Sequence, residues 1–531
     1  MLVYGDHEEI VDPANWLERL KETLGEVEKL APGIDRHGNL VGALIDAGRL
    51  LQGLADARAP TEDYSRFLRQ LADNLLRSWD TDFREIGRLP TVPSFDLLST
   101  IAIRLPEGFA FYAVYPEAYV EAARKLVLCG PPRVIGIRSI GTTLGAVVAA
   151  ALGAPAPLTV RPFGDPFARQ AELPPDAIEP HAHYVIADEG PGLSGSSFGA
   201  VADWLEERGV PMERIAFLPS HGGELGPQAS VPHRRRWNRA QRIAPEFHSN
   251  FLEGRFGPLE EFSTGHPWER LKFLGWFGGG RVLLKFAGLG TVGERKLEMA
   301  RALHASGLTP EPLCLAYGFL IERWCEDALS LGRDEKPIEE IGRYIGARAR
   351  LFPAGHASGA SIEELLSMSR HNIALALGPD DARGLGQFDA DLLTPRVHRV
   401  RTDNKLDRHE WLRLRDGRVL KTDAVDHHQA HDLIGCQDVA WDIAGAIVEF
   451  GFDPCEADRL VSASRLSIDA DLLAFSQVAY CAFRLGHAHL AAQSAPANVT
   501  LRREAKRYAR ELRKLLHQHD RAVIPQESLV D

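Results

Sequence analysis

A chain of 531 residues, 45% hydrophobic and 25% charged, is too long for one ordinary core, so roughly two to four domains are expected. Its net charge of -12 argues against generic binding to nucleic acid or to anionic membrane, both of which need basic surface, but leaves room for phosphorylated small molecules at a locally positive site. With no apolar span of about 20 residues and no basic-then-apolar leader at Met1 to Glu9, the expected location is cytoplasmic. The six cysteines, at 129, 314, 325, 436, 455 and 481, show no zinc-ligand or redox spacing and read as reduced thiols.

Residues 1–95 read as a helical cap segment. Asp12 before Pro13 is an N-cap signal, and Trp16, Leu17, Leu20, Leu24 and Val27 recur at helical spacing. Two further helices carry Leu40 to Leu51 and Tyr64 to Trp79.

From 96 to 245 short apolar runs alternate with helical stretches. Phe109–Tyr115 reads as a strand, Pro116 opens a helix, and Arg133–Ile137, Leu158–Arg161, Tyr184–Ala187 and Ile215–Leu218 read as buried strands. This pattern predicts a doubly wound, mostly parallel α/β domain with ligands at the C-terminal strand ends. The stretch after Ala187 is the most informative: two acids, Asp188 and Glu189, then Gly190, Gly192, Ser194, Gly195, Ser196 and Ser197, then an amphipathic helix. Paired carboxylates at a strand end can accept hydrogen bonds from vicinal hydroxyls, and N–H groups at a helix start can hold a phosphate.

That stretch resembles the phosphoribosyl-diphosphate loop of the type I phosphoribosyltransferases, although it is longer and carries Ser where the family has Thr. The resemblance implies that Asp188 and Glu189 hold ribose hydroxyls, that Gly190 to Ser197 receive a phosphate, and that Arg138, Gly141 and Thr142 bind diphosphate with Mg²⁺. Arg161 and Arg169 flank the loop Pro162–Ala168 where the family carries a mobile catalytic loop, and His221 lies where acceptor contacts are placed. The run His233-Arg-Arg-Arg-Trp237 reads as solvated linker or phosphate-proximal charge.

Residues 246–264 read as a linker, and 265–531 as a second unit. Leu271–Phe277, Gly278-Gly279-Gly280 and Arg281–Phe286 form a hairpin pattern with Lys285 inside its second strand. Gly288-Leu-Gly290-Thr-Val-Gly293 fits a dinucleotide fingerprint, but a strand lysine followed by a helix with Glu298, 13 positions on, fits a kinase N-lobe. The later segments favour the second: Asp403, then Asp423 20 positions on, then Gln437-Asp-Val-Ala-Trp-Asp442-Ile-Ala.

This half resembles the aminoglycoside-phosphotransferase-like and choline-kinase-like small-molecule kinases, with a bilobal α+β fold. The resemblance implies Asp403 on the substrate hydroxyl, Asp423 on Mg²⁺, Lys285 on the ATP phosphates with Glu298 fixing it, and Glu322 on the strand leading to the adenine hinge. Arg408 stands where the family has a metal-binding Asn, so His409 is the candidate replacement. Asp426-His427-His428 with His431 reads as a surface loop. The combined expectation is a bifunctional transferase using phosphoribosyl diphosphate, ATP and Mg²⁺ on a small-molecule substrate. The competing expectation is a regulatory protein whose degenerate sites sense those nucleotides.

Overall fold

The structure, a computed structural model, describes residues 1–5, 8–93, 100–192, 194–263 and 269–522. The expected domain start at 96, the end of the linker and the last nine residues lie outside the described residues.

Helices Pro13–Lys29, Ile34–Asp56 and Glu62–Asp80 form where the apolar periodicity placed them. Asp12 caps the first, accepting from the Ala14 N–H at 2.8 Å. Strand Glu8–Val11, which carries no local signal, pairs antiparallel with Ile101–Arg104.

The run expected as a strand at Phe109–Tyr115 is instead the short helix Glu107–Phe111 followed by a turn. Phe109, Ala110 and Phe111 are all buried. An apolar run covered on every side has no period by which strand and helix differ. Its Gly108 sits so close to Ile140, Val114 and the Glu189 carboxylate that a Cβ would meet each of them below 3.0 Å.

Behind these elements lies a five-stranded parallel sheet. Its strands run in the order Leu158–Val160, Pro132–Ile137, His183–Ala187, Ile215–Leu218 and Gln241–Arg242. Successive side chains point to opposite faces. Val134, Val185 and Ala216 join the core made with the N-terminal helices, while Ile135, Tyr184, Ile186 and Phe217 pack under helix Ser196–Glu206. The basic run at 233–237 is not solvated linker: it lies in helix Val231–Arg239, where Trp237 is fully buried and Arg236 is held by Asp203 and Glu206.

The second half opens on an antiparallel sheet ordered Glu260–Glu261, Lys272–Phe277, Gly280–Phe286, Phe319–Arg323 and Pro312–Ala316. The expected hairpin is present, with Gly278 and Gly279 at φ 58° and 77°. Helix Thr291–Ala305 crosses this sheet, and a helical part follows, including Ile338–Leu351, Ala440–Phe450 and Ala470–Ser494. Ser361 and Glu364 form a capping box at the start of helix Ile362–Ala376.

Because the sheet bearing Lys285 is antiparallel, Gly288 to Gly293 is not the turn of a βαβ unit. It is a joint. The Leu289 N–H donates to the Phe109 carbonyl at 2.9 Å, and a Cβ on Gly290, at φ 58°, would lie 2.9 Å from Gly42 Cα. One continuous apolar core runs from the N-terminal helices through one face of the parallel sheet into Phe273, Val282, Leu284, Phe286, Phe319 and Ile321. Within it Glu117 accepts from Tyr317 at 2.6 Å and contacts His37 Nε2 at 2.7 Å. Residues 1–5 cross to the helical part, where Val3 is buried and its carbonyl accepts from Leu433 N–H at 2.9 Å. Among the described residues no helix is long and apolar enough to cross a membrane.

Candidate functional sites

At the C-terminal ends of the parallel strands lies a cavity of about 730 Å³. Its wall brings together Arg138, Arg161, Arg169, Asp188, Glu189, Gly190, Gly192, Ser197 and His221, all singled out from sequence. Two of the arginines share one carboxylate. Arg138 Nη1 lies 3.1 Å and Arg161 Nη2 2.5 Å from the two carboxylate oxygens of Asp56, the last residue of helix Ile34–Asp56. Burial works against the Asp56 charge, but Arg161, Gln52 and Arg138 together hold its carboxyl below the usual range. Asp56 carries no local motif, and only the fold brings it beside these guanidinium groups.

Asp188 and Glu189 share this wall and form no ion pair among the described residues, although Arg161 and Arg169 partly offset the Asp188 charge and His431 that of Glu189. Burial pushes the Asp188 carboxyl well up, and burial followed by repulsion from Glu107 pushes Glu189 up to about 7. The Gly108 N–H donates to Glu189 at 2.8 Å, and the Tyr119 hydroxyl donates to the Asp188 carbonyl at 2.8 Å. A divalent cation or vicinal hydroxyls would supply the missing counter-charge or donors, so the acid pair fits Mg²⁺ carried by a sugar diphosphate.

Five of the residues expected to meet ligand do not line this cavity. Gly141 and Thr142 are buried in the first turn of helix Ile140–Ala151, where a Cβ on Gly141 would lie 2.6 Å from the Ala187 carbonyl. The Ser194 and Ser196 hydroxyls donate to the Pro166 carbonyl, at 3.5 and 2.6 Å, and so anchor the hairpin Phe163–Asp165 with Ala168–Gln170 instead of a phosphate. Gly195, at φ 63°, packs against Leu225 and His233. The added loop length tucks this segment under the hairpin and leaves Gly190, Gly192 and Ser197 to face the cavity.

The raised Glu189 makes a stability prediction. A carboxyl whose folded pKa, about 7, exceeds its unfolded value near 4.3 favours the folded state below the unfolded pKa, and that contribution is lost as pH rises through 7. Glu189→Gln keeps an acceptor for the Gly108 N–H but removes the charge. Thermal melts should show this variant gaining on the parent protein from pH 5 to pH 8; parallel curves would refute the shift.

In the second half Lys285 bonds both Asp423 and Asp426. Asp426 is also 2.7 Å from Lys296 Nζ and 3.7 Å from Arg270. Glu298, expected to fix Lys285, is exposed: helix Thr291–Ala305 turns Lys296 inward in its place. Glu322, on the strand beside Lys285, is pushed up to about 7 by burial, with Lys285 opposing and Asp423 and Asp426 adding to the shift.

Asp403 differs from its expected role. Its carboxylate accepts from the Tyr344 hydroxyl, contacts His427 Nδ1 at 3.2 Å and Lys421 Nζ at 3.3 Å, and is 0% exposed. Asp442 fixes this loop by accepting from the Asp403 and Asn404 N–H groups at 2.8 and 3.0 Å. His409 is exposed on the turn Arg408–Glu410 and joins no ligand cluster among the described residues.

Asp403, Glu410 and His427 do lie at metal-like spacing. However, the Lys421 ammonium, 2.7 Å from Glu410 and 3.3 Å from Asp403, already supplies the cation there. Asp423, 26% exposed, is the acid that faces outward. Mg²⁺ is commonly held by one or two carboxylates with water and phosphate oxygens completing the shell, so Asp423 fits one such ion. The supposed surface loop after Asp423 is in fact largely internal, with Asp426 and His428 buried. His431, farther along it, lines the α/β cavity and contacts Glu107 at 2.5 Å.

No family model matches the chain, and no curated protein does. Among solved structures, choline kinase LicA from Streptococcus pneumoniae overlaps 51% of this chain and 97% of its own, at 15% identity and a TM-score of 0.38. A choline/ethanolamine kinase family protein from Mesorhizobium loti overlaps 51% and 95%, at 18% identity and 0.34. Spectinomycin phosphotransferase APH(9)-Ia, in complex with ADP and spectinomycin, overlaps 51% and 96%, at 11% identity and 0.34. Likeness at this level decides nothing about chemistry.

Proposed function

We propose that the chain is a transferase with two sites, one for a phosphoribosyl-diphosphate donor and one for ATP with Mg²⁺. The observation that carries this reading is one cavity lined by Arg138, Arg161 and Arg169 together with the paired acids Asp188 and Glu189, neither of which is in an ion pair among the described residues. A sugar bearing vicinal hydroxyls and a diphosphate has the complementary polarity. Arg138 and Arg161, released from Asp56, would take the diphosphate together with Arg169, and Asp188 and Glu189 would take the ribose hydroxyls. The bound Mg²⁺ would supply charge neutralisation of the departing diphosphate.

At the second site Lys285 would turn from Asp423 to the ATP phosphates and Asp423 would hold Mg²⁺. With Asp403 enclosed, His427 is the group placed to meet an acceptor hydroxyl. Asp403 orients it through Nδ1, and its Nε2 lies 3.9 Å from Asp423.

Calorimetry on the whole chain tests the assignment. Asp188→Asn with Glu189→Gln should abolish binding of phosphoribosyl diphosphate and spare ATP·Mg²⁺, and Asp423→Asn should do the reverse. Unchanged binding in both variants, or no binding of either ligand to the parent chain, overturns it. Binding of both without release of ADP or diphosphate, across a broad acceptor panel, would favour a nucleotide sensor instead.

A further inference from the structure

The two sites share a wall. The loop that begins at Asp423 holds Lys285 through Asp423 and Asp426, touches Asp403 through His427, and eight residues after Asp423 places His431 in the α/β cavity. There His431 Nδ1 lies 2.5 Å from Glu107, and its ring stacks on Tyr4 at 4.9 Å. Asp432 then pairs with Lys405 at 2.9 Å, tying the loop back to the segment after Asp403.

A second connection runs through helix Glu107–Phe111. Its first residue meets His431, and its Gly108 N–H donates to Glu189. The Phe111 ring lies under Arg270 and Lys296, at 4.9 and 5.4 Å, and these two cations flank the Asp426 that Lys285 shares. A ligand that bonds Glu189 competes with the Gly108 N–H and so acts on this helix. ATP phosphates that draw Lys285 from Asp423 and Asp426 act on the same loop and the same cations.

We propose that the cavity and the Lys285–Asp423 site are energetically coupled through this loop and helix, with His431 as the positioning residue that joins them. The inference rests on the two-site reading above and goes beyond it, because two tethered but independent sites would show no such linkage. A coupling needs a physical element that both ligands bias, and the helix Glu107–Phe111 with the loop 423–432 is one that each site touches directly.

The test is calorimetry of the full chain with a non-hydrolysable ATP analogue and Mg²⁺, with and without saturating phosphoribosyl diphosphate. The expected result is a change in Kd of about fivefold or more, matched by the same factor when the order of ligands is reversed. His431→Ala should bring that factor to one, while His431→Asn, whose amide nitrogen can reach Glu107 from the Nδ1 position, should retain most of it. A merely structural histidine would change stability or single affinities without this pattern. If His431→Ala does not fold, Glu107→Gln reads the same contact from the other side and should also reduce the factor. Binding of both ligands to the parent chain with a factor of one overturns the coupling, as does a parental factor in both His431→Ala and Glu107→Gln. Absence of binding of either ligand overturns the two-site reading, and the coupling falls with it.

Discussion

Replacing Lys421 by methionine is expected to destabilise the second half by about 3–5 kcal/mol, although methionine fills nearly the same volume. Lys421 ends the strand Val419–Lys421 with its side chain fully enclosed. Its ammonium contacts Glu410 at 2.7 Å, the Thr422 carbonyl at 2.8 Å and Asp403 at 3.3 Å. Without it two buried carboxylates face each other, and one must take a proton or draw in water. Chemical denaturation followed in the helical part measures the loss. Adding Glu410→Gln to Lys421→Met should recover a substantial share, because it removes one of the stranded charges. A loss under about 1 kcal/mol in the single variant would mean that the cluster is hydrated in solution.

A loss of similar size is expected for Asp426→Ala, with the opposite charge left over. Lys296 and Arg270 then lose their shared carboxylate, and Lys285, close beside them, keeps only Asp423. The pH dependence distinguishes this from a packing defect. Burial, reinforced by Arg270 and Lys285, already pulls Lys296 down to about 8 even with Asp426 beside it. A lysine whose folded pKa lies below its unfolded value costs stability while both states are charged, and that cost fades as pH rises past the folded value. The gap between variant and parent should therefore narrow between pH 6 and pH 9. A constant gap would assign the loss to the missing side-chain volume. ATP binding should weaken in the same variant, because Lys285 loses one of the two acids that aim it.

What the sequence disclosed follows from how local its signals are. Strands Pro132–Ile137, His183–Ala187 and Ile215–Leu218 announce themselves as short apolar runs between turn residues, and the C-terminal strand ends then locate Arg138, Asp188 and Glu189. Lys285 stands out as a charge inside an apolar strand and Asp423 by its spacing from Asp403, and the structure brings these two side chains together. Glu298 was misplaced because a spacing along a helix does not say which face turns inward; the structure gives that face to Lys296. Asp56, Asp426 and His431 escaped as site residues for a different cause. Their partners Arg138, Lys285 and Glu107 lie 82, 141 and 324 positions away, and no short pattern encodes such pairings. The burial of Asp403 has the same origin, since Tyr344 and Lys421 reach it from separate elements.

The close seat of Gly290 on Gly42 bears on motion. The antiparallel sheet shares one apolar core with the first half, and sliding it would open that core along its whole length. The sheet is therefore held to the first half, while Ala287 and Leu320 pack into the core of the helical part. The segment that begins at Asp423 leaves the helical part at His431 to line the α/β cavity, so the first half meets both parts of the second.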